Sequence, residues 1–353
     1  MIKRYTELDS LRGIAAILVV FFHFTRDRDE ALLGFKLGVT GVDLFFLISG
    51  FVIFMSINNI STAKEFIVNR FSRLYPTYWS CVSFTAILVS LSPSIYATKG
   101  VGAFSMVRYL GNMTMFQYYL RMPNLDGPYW TMIIEMVFYL TILLLFVTKQ
   151  LKNIEIWGVV GIILACVLDY CEDHYTTLYK MVVFVYPLIH FWPLFFSGIL
   201  FFKIMTERTA YVRRYVMVCI CFLLQRKLYA IIGHSAVFIS KIEYIVCLLC
   251  YFLLFILFVN KKLNFIVNKV TLYLGTISYA LYLCHEYLSY NLLIPYLTKN
   301  IGLNFWIAAF ICLTVTIFVA SLITFYIEEP FRKRIKKLFA SSSSKKVQAY
   351  FIV

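Results

Sequence analysis

Apolar runs of bilayer length recur from one end of the 353-residue sequence to the other, and they constrain the fold more than any other feature. A helix needs about 20 apolar residues to cross the hydrocarbon core of a membrane. Runs near this length occupy residues 8–25, 42–58, 75–92, 129–148, 154–168, 180–203, 211–232, 242–260, 271–296 and 303–327. The sequence therefore predicts an all-α polytopic integral membrane protein with about ten transmembrane helices and no soluble domain.

The composition supports the membrane assignment. Hydrophobic side chains make up 61% of the chain and charged ones 14%, whereas soluble proteins are about half apolar and about a quarter charged. The first run follows Lys3 and Arg4 as a signal sequence would. Because Asp9 and Arg12 interrupt it and no small-residue cleavage site follows, we expect this segment to be retained as a membrane helix.

The distribution of basic residues predicts the orientation in the membrane. An even number of spans places both termini on one side, and alternation gives that side about two thirds of the 33 lysines and arginines. The positive-inside rule then makes both termini cytoplasmic. Residues 1–335 form the transmembrane domain in this interpretation, and residues 336–353 form a basic, serine-rich cytoplasmic tail. The net charge of +15 lies in short clusters between apolar runs, a pattern that argues against nucleic-acid binding.

Ionisable side chains inside the predicted spans are costly in lipid, and each one suggests a functional site. They are His23, Asp43, Glu135, His190, His285 and Glu286. His23 is the most informative, because imidazole exchanges protons near neutral pH and a neighbouring carboxylate fixes its tautomer. The loop after the first span is short enough for Asp43 to approach His23. The alternative is that His23 is a helix-end residue at the interface, and His190, in an aromatic run between prolines, is more typical of a packing histidine.

Three arginines at the predicted cytoplasmic side suggest an anion site. Arg12 precedes His23 by eleven positions on the first helix, a separation of about 16 Å along the axis. Arg70 and Arg73 are three positions apart, so on a helix they share a face. Paired guanidiniums suit a phosphate ligand. The alternative for this pair is ordinary positive-inside anchoring.

Two groups of residues have the types, but not the setting, of metal or redox sites. They are Cys171, Glu172, Asp173 and His174 in a polar loop, and Cys247 and Cys250 in an apolar run. The first group lacks a second set of ligands at zinc-site spacing, and the second lies where cysteine behaves as a small hydrophobe. We therefore expect no metal site and no redox pair.

Several motifs, in this order along the chain, resemble one family, the membrane-bound acyltransferases of family 3. The first half contributes Leu8 to Gly13 leading to His23, Gly41 to Phe46 with Ser49 to Phe51, and the R-x-x-R element within Asn69 to Pro76. The second half contributes Gly111 to Thr114, Trp130-Thr131 with Glu135 and Phe138 to Leu140, Ile277 to Tyr279, Leu281 to Leu283 with His285, and Glu328 to Pro330. These matches span residues 8–330, nearly the whole chain.

The resemblance implies transfer of an acyl group, usually acetyl, from a cytoplasmic acyl-CoA to a hydroxyl of a carbohydrate in the bacterial inner membrane or envelope. On this basis we expect Arg12, Arg70 and Arg73 to bind the CoA phosphates. His23 would be the general base, oriented by Asp43 or Glu135. The side chains expected to contact the substrates are Trp130, Tyr139, Tyr279 and His285. Acyl-CoA is a substrate in this scheme, and we expect no bound cofactor.

Other functions fit parts of the pattern. Buried charges also mark the paths of transporters and flippases, but such proteins usually show inverted repeats with broken helices at matching positions, which the sequence lacks. A purely structural envelope protein gives no reason for the histidine, the carboxylates and the arginine pair to occur together. The acceptor stays open among O-antigen, exopolysaccharide, another envelope glycan and a small glycosylated metabolite, and so does the oligomeric state.

Overall fold

The computed structural model describes residues 4–32, 34–92, 104–207, 209–229, 235–335 and 337–339. Over these residues the chain forms twelve α-helices and no strand. The first six are α1 (Thr6–Thr25), α2 (Gly41–Ile57), α3 (Ala63–Leu91), α4 (Met106–Met113), α5 (Trp130–Val147) and α6 (Ile154–His174). The other six are α7 (Thr176–Val185), α8 (Trp192–Thr206), α9 (Tyr211–Lys227), α10 (Lys241–Val259), α11 (Lys269–His285) and α12 (Phe305–Ile323). The predicted tail lies outside the described residues except for 337–339, as do residues 230–232 of the seventh predicted span.

The all-α polytopic membrane fold is confirmed, and each of the ten predicted spans falls on helix. Seven helices, taken with adjoining turns, are long and apolar enough to cross a membrane. These contain α1, α2, α3, α5, α6, α10 and α12. Helix α8 is shorter, with 15 residues, and α9 and α11 have 17 each. Helix α11 continues into a π-helical segment, Glu286–Leu293.

Two predicted spans differ from the helices that form. The span predicted over 180–203 is divided into α7 and α8 by a 3-10 turn at Pro187–His190, because Pro187 has no N–H to donate to the preceding turn. Helix α3 begins at Ala63, well before the predicted start at residue 75. The hydroxyl of Thr62 caps it by accepting a hydrogen bond from the backbone N–H of Glu65 at 3.2 Å, a preferred N-cap arrangement.

Contacts between helices give the relative directions of α1, α2 and α11. Helices α1 and α11 run parallel, because Gly13 packs at the start of α11 and His23 meets His285 at its end. Helix α2 runs the other way, since Gly41 at its start lies beside Val19 and Phe51, further along it, contacts Tyr5 just before α1, with ring centroids 5.9 Å apart. We call the end of the bundle at which α1 begins the proximal face, and the opposite end the distal face.

Helix α1 lies inside the bundle, packed against α2 on one side and α11 on the other. Close approach to α11 depends on two glycines. A Cβ added to Gly275 would lie 2.0 Å from the carbonyl oxygen of Asp9, and one added to Gly13 would lie 2.7 Å from the Gly275 nitrogen. Small residues of this kind let helix backbones approach closely in membranes. This contact sets the depth of α1 relative to α11, and thereby brings His23 level with His285.

Candidate active site

His23 lies between two side chains that follow one another in the sequence. Its Nδ1 is 2.9 Å from Nε2 of His285, and its Nε2 is 3.2 Å from Oε2 of Glu286. All three residues are almost completely buried: His23 is 6% exposed, His285 0% and Glu286 4%. Such a group within a membrane protein marks a functional site.

The hydrogen bonds show which ring nitrogens of His23 and His285 carry protons. Nδ1 of His285 is 2.8 Å from the carbonyl oxygen of Tyr282, and since a carbonyl only accepts, this nitrogen donates. Nδ1 of His23 lies 3.0 Å from the carbonyl oxygen of Val19, so this nitrogen also carries a proton. Nε2 of His285 accepts that proton, and His285 is then neutral. His23 then has its lone pair on Nε2, directed towards Glu286. His23 is thus arranged as a base with a carboxylate beside the proton that it would take up.

The backbone geometry explains how adjacent residues reach opposite sides of one imidazole. Neighbouring residues on an α-helix do not face the same partner. Helix α11 ends at His285, and the wider π-helical segment begins at Glu286, a feature that is frequent at functional sites. His285 and Glu286 therefore approach His23 from different directions.

Glu286 is held by the segment that precedes α5. A Cβ on Gly127 would lie 1.9 Å from Oε2 of Glu286, so this position admits only glycine without displacement of the carboxylate. Asp126 accepts hydrogen bonds from the N–H of Gly127 at 2.9 Å and from the N–H of Tyr287 at 3.2 Å. Arg26 adds an ion pair to Glu286 at 3.5 Å.

Two cavities meet beside this group. The distal cavity is lined by residues that include His23, Arg26, Gly127, Trp130 and Glu286. The proximal cavity is lined by residues that include Arg12, Ser49, Arg73, Glu135, Tyr139 and Tyr279. Val42 and Tyr282 line both. The cavities are therefore adjacent, with the histidine group on one side and two arginines on the other.

The carboxylates predicted to orient His23 are engaged elsewhere. Asp43, in the first turn of α2, accepts a hydrogen bond from the hydroxyl of Tyr244 on α10. Glu135 accepts hydrogen bonds from the hydroxyls of Ser49, at 3.3 Å, and Tyr139. The carboxylate at ion-pair distance from His23 is that of Glu286. The sequence signal for Glu286 was a carboxylate directly after His285 within an apolar run.

The predicted arginines separate into two settings. Arg12 and Arg73 line the proximal cavity. Arg70 donates a hydrogen bond to the hydroxyl of Ser56 at 2.5 Å, and its guanidinium lies 5.8 Å from the centre of the Tyr139 ring. Arg70 therefore lies behind the wall of the cavity, next to a residue that lines it.

The two other histidines among the described residues, His174 and His190, pack against tyrosines. Nε2 of His190 is 3.3 Å from the hydroxyl of Tyr179, with the two rings stacked. The ring of His174 stacks on Tyr170 with centroids 4.1 Å apart. In the described part of the chain, no three His, Cys, Asp or Glu side chains are grouped so as to hold a metal ion.

Comparison with known proteins agrees with this architecture. The profile of the acyltransferase domain of acyltransferase family 3 matches residues 5–326. A putative acetyltransferase of Acidianus two-tailed virus is 24% identical over 295 residues, covering 81% of this chain and 84% of the viral protein. No solved structure matches the chain.

Two bacterial relatives match shorter segments. The exopolysaccharide production protein ExoZ of Rhizobium meliloti is 39% identical over 67 residues, which are 18% of this chain and 21% of ExoZ. Protein 2 in the picA locus of Rhizobium radiobacter is 36% identical over 85 residues, 22% of this chain and 41% of the relative. With a family profile matched over nearly its whole length, the chain belongs to the membrane-bound acyltransferases of family 3 and is an acyltransferase.

Proposed function

We propose that the protein transfers an acetyl group from acetyl-CoA, bound at a cytoplasmic proximal face, to a hydroxyl of an envelope carbohydrate, with His23 as general base. The observation that carries this proposal is the position of His23, held between His285 and Glu286 where the two cavities meet. An exopolysaccharide is a suitable acceptor class, because one relative is named for exopolysaccharide production. Two relatives are proteins of Rhizobium species, and a bacterial inner membrane is part of this proposal.

The arginines of the proximal cavity support an acyl-CoA donor. Arg12 and Arg73 supply guanidiniums for the phosphates of CoA, and guanidinium–phosphate pairs are among the stronger charge-assisted hydrogen bonds. Arg12 and His23 lie on one helix, about 16 Å apart along its axis. An extended pantetheine arm covers such a distance, so the thioester reaches Tyr282 and the distal cavity while the phosphates stay at the arginines.

The reaction follows from the assigned protons. The acceptor hydroxyl, bound in the distal cavity, gives its proton to Nε2 of His23 as its oxygen attacks the thioester carbonyl. The C–S bond then breaks, an ester forms, and the CoA thiolate takes the proton from the imidazolium. Glu286 stabilises the imidazolium, and His285 keeps the ring in the tautomer that leaves Nε2 free to accept.

The test compares envelope glycans from cells that contain the wild-type protein, the His23→Ala variant or no protein. We expect mass spectrometry to find the acetyl ester in the first sample and to miss it in the other two. Equal amounts of variant and wild-type protein in the membrane fraction provide the control for insertion. An ester content that His23→Ala leaves intact contradicts the role of His23, and one that is the same without the protein contradicts an envelope acceptor.

A further inference from the structure

The segment between α4 and α5 is fixed by buried side chains at the distal face. Arg108, which is 5% exposed, donates hydrogen bonds to the carbonyl oxygens of Pro123 at 3.2 Å and Asn124 at 2.7 Å. Asn112, fully buried, donates to Pro123 at 3.1 Å and accepts from the N–H of Leu125 at 3.0 Å. These contacts give the segment the rigidity that a preorganised binding wall requires.

This segment forms one wall of a further distal cavity. The lining residues are Gln117, Tyr118, Arg121, Met122, Pro123, Asn124, Tyr129, Trp130 and Ile133. The lining therefore combines aromatic rings with the amides of Gln117 and Asn124 and the cation of Arg121. Ligand sites combine apolar and aromatic walls with a few polar groups that fix orientation, and this mixture suits a sugar ring with apolar faces and a hydroxyl edge.

Trp130 connects this cavity to the active site. It lines both the further cavity and the distal cavity that contains His23. A sugar whose hydroxyl reaches His23 therefore has Trp130 beside it, and the next sugar of the same chain extends to the other side of the indole. The amide of Gln117 donates a hydrogen bond to Oδ1 of Asn124 at 3.0 Å, which fixes the Asn124 side chain in the wall of the further cavity.

We propose that this cavity is a second acceptor subsite, which binds the sugar next to the one that is acylated. The acceptor is then an oligosaccharide or polysaccharide and not a free monosaccharide. This inference rests on the proposed function, because it assumes a carbohydrate acceptor at His23. It assigns Arg121 and Asn124 as residues that determine acceptor length.

The test uses the full-length protein in lipid nanodiscs with acetyl-CoA and two acceptor probes. One probe is the oligosaccharide fraction released from the envelope glycan of cells that lack the protein, and the other is the monosaccharide mixture from its complete hydrolysis. The variants are Arg121→Asn and Asn124→Ala. Asparagine suits position 121, whose φ is 53°, because asparagine tolerates the left-handed region. Lys299→Asn, an exposed cation outside the lining of this cavity, is the matched control.

We expect the wild-type protein to prefer the oligosaccharides. Each subsite variant should raise the KM for them about tenfold, the effect of roughly 1.4 kcal/mol of lost binding, with kcat and monosaccharide transfer unchanged. A wild-type protein with no preference for oligosaccharides overturns the subsite, and so do variants that lower transfer to both probes equally. A wild-type protein that acetylates neither probe overturns the proposed function itself.

Discussion

Replacement of Glu286 by glutamine tests the central feature of the site. The substitution keeps the size of the side chain and removes the charge that lies 3.2 Å from Nε2 of His23. If His23 takes up the acceptor's proton, the imidazolium so formed loses its counter-charge. We therefore expect a large loss of kcat with little change in the KM for acetyl-CoA, because we propose that its phosphates bind in the proximal cavity.

The size of the effect follows from the geometry. Two unit charges 3.2 Å apart attract each other by about 5 kcal/mol at an effective dielectric constant of about 20. Part of this attraction is offset by the desolvation of the carboxylate in the wild-type protein. If about 3 kcal/mol is expressed in the transition state, kcat falls roughly 100-fold, since each factor of ten corresponds to about 1.4 kcal/mol.

The assay is the initial rate of CoA release with the purified protein, measured for Glu286→Gln, Asp43→Asn and His23→Ala. Asp43→Asn is the matched control, because it removes a buried carboxylate that is hydrogen-bonded to Tyr244. Adding Glu286→Gln to His23→Ala should cause little further loss, because residues that act as a unit are not additive. The proposed role of Glu286 is refuted if the kcat of Glu286→Gln stays within about twofold of wild type while that of Asp43→Asn falls about 100-fold. That result would favour Asp43 as the group that orients His23.

Three further predictions concern the surrounding structure. Gly127→Ala should lower kcat at least tenfold by displacing the carboxylate of Glu286, with folded protein still recovered at wild-type yield; unchanged kcat would refute it. Arg214→Ala should destabilise the protein by about 3 kcal/mol, because Arg214 is buried and paired with Glu155 at 2.9 Å; thermal unfolding in detergent measures this, with an unchanged midpoint as the contrary result. Ser61 is exposed in the turn between α2 and α3, at the proximal face. Because we propose that this face is cytoplasmic, Ser61→Cys in a chain whose native cysteines are replaced by serine should resist a membrane-impermeant thiol reagent added to intact cells. Rapid labelling would place the proximal face outside.

The membrane helices could be predicted from the sequence because the length of an apolar run is a local property. Where the prediction differed, other forces decided the boundary. Pro187 divided one predicted span into α7 and α8, a break that its missing N–H makes intelligible. Helix α3 extends back to Ala63, because polar residues that follow a good N-cap also form helix. A prediction from apolar runs does not detect these polar turns.

The site was harder to predict because partner choice is a tertiary property. Motif order supplied Arg12, Arg73 and Glu135, which do line one cavity. The partner of His23 is Glu286, which lies far away along the chain, and no spacing rule connects them. The close parallel packing of α1 and α11 brings them together. The sequence indicates this packing only through Gly13 and Gly275, two glycines that lie within helices and not in turns.

Tyr282 lies where the two cavities join, and its position leads to a prediction about the acyl group. Its hydroxyl lies 3.1 Å from that of Thr131, so the ring is held at the wall that the two cavities share. We expect this ring to favour acetyl over longer acyl groups, because a longer chain would have to displace it.

Tyr282→Leu should therefore raise the rate with butyryl-CoA relative to acetyl-CoA by about tenfold, a gain of roughly 1.4 kcal/mol. The backbone carbonyl of residue 282, which accepts the proton of His285, is unaffected by this change, so the alignment of His23 is retained. Tyr279→Leu is the control, since Tyr279 lines the proximal cavity away from the junction. If both variants keep the wild-type ratio of butyryl to acetyl transfer, acyl length is selected elsewhere, and the width of the junction has no part in it.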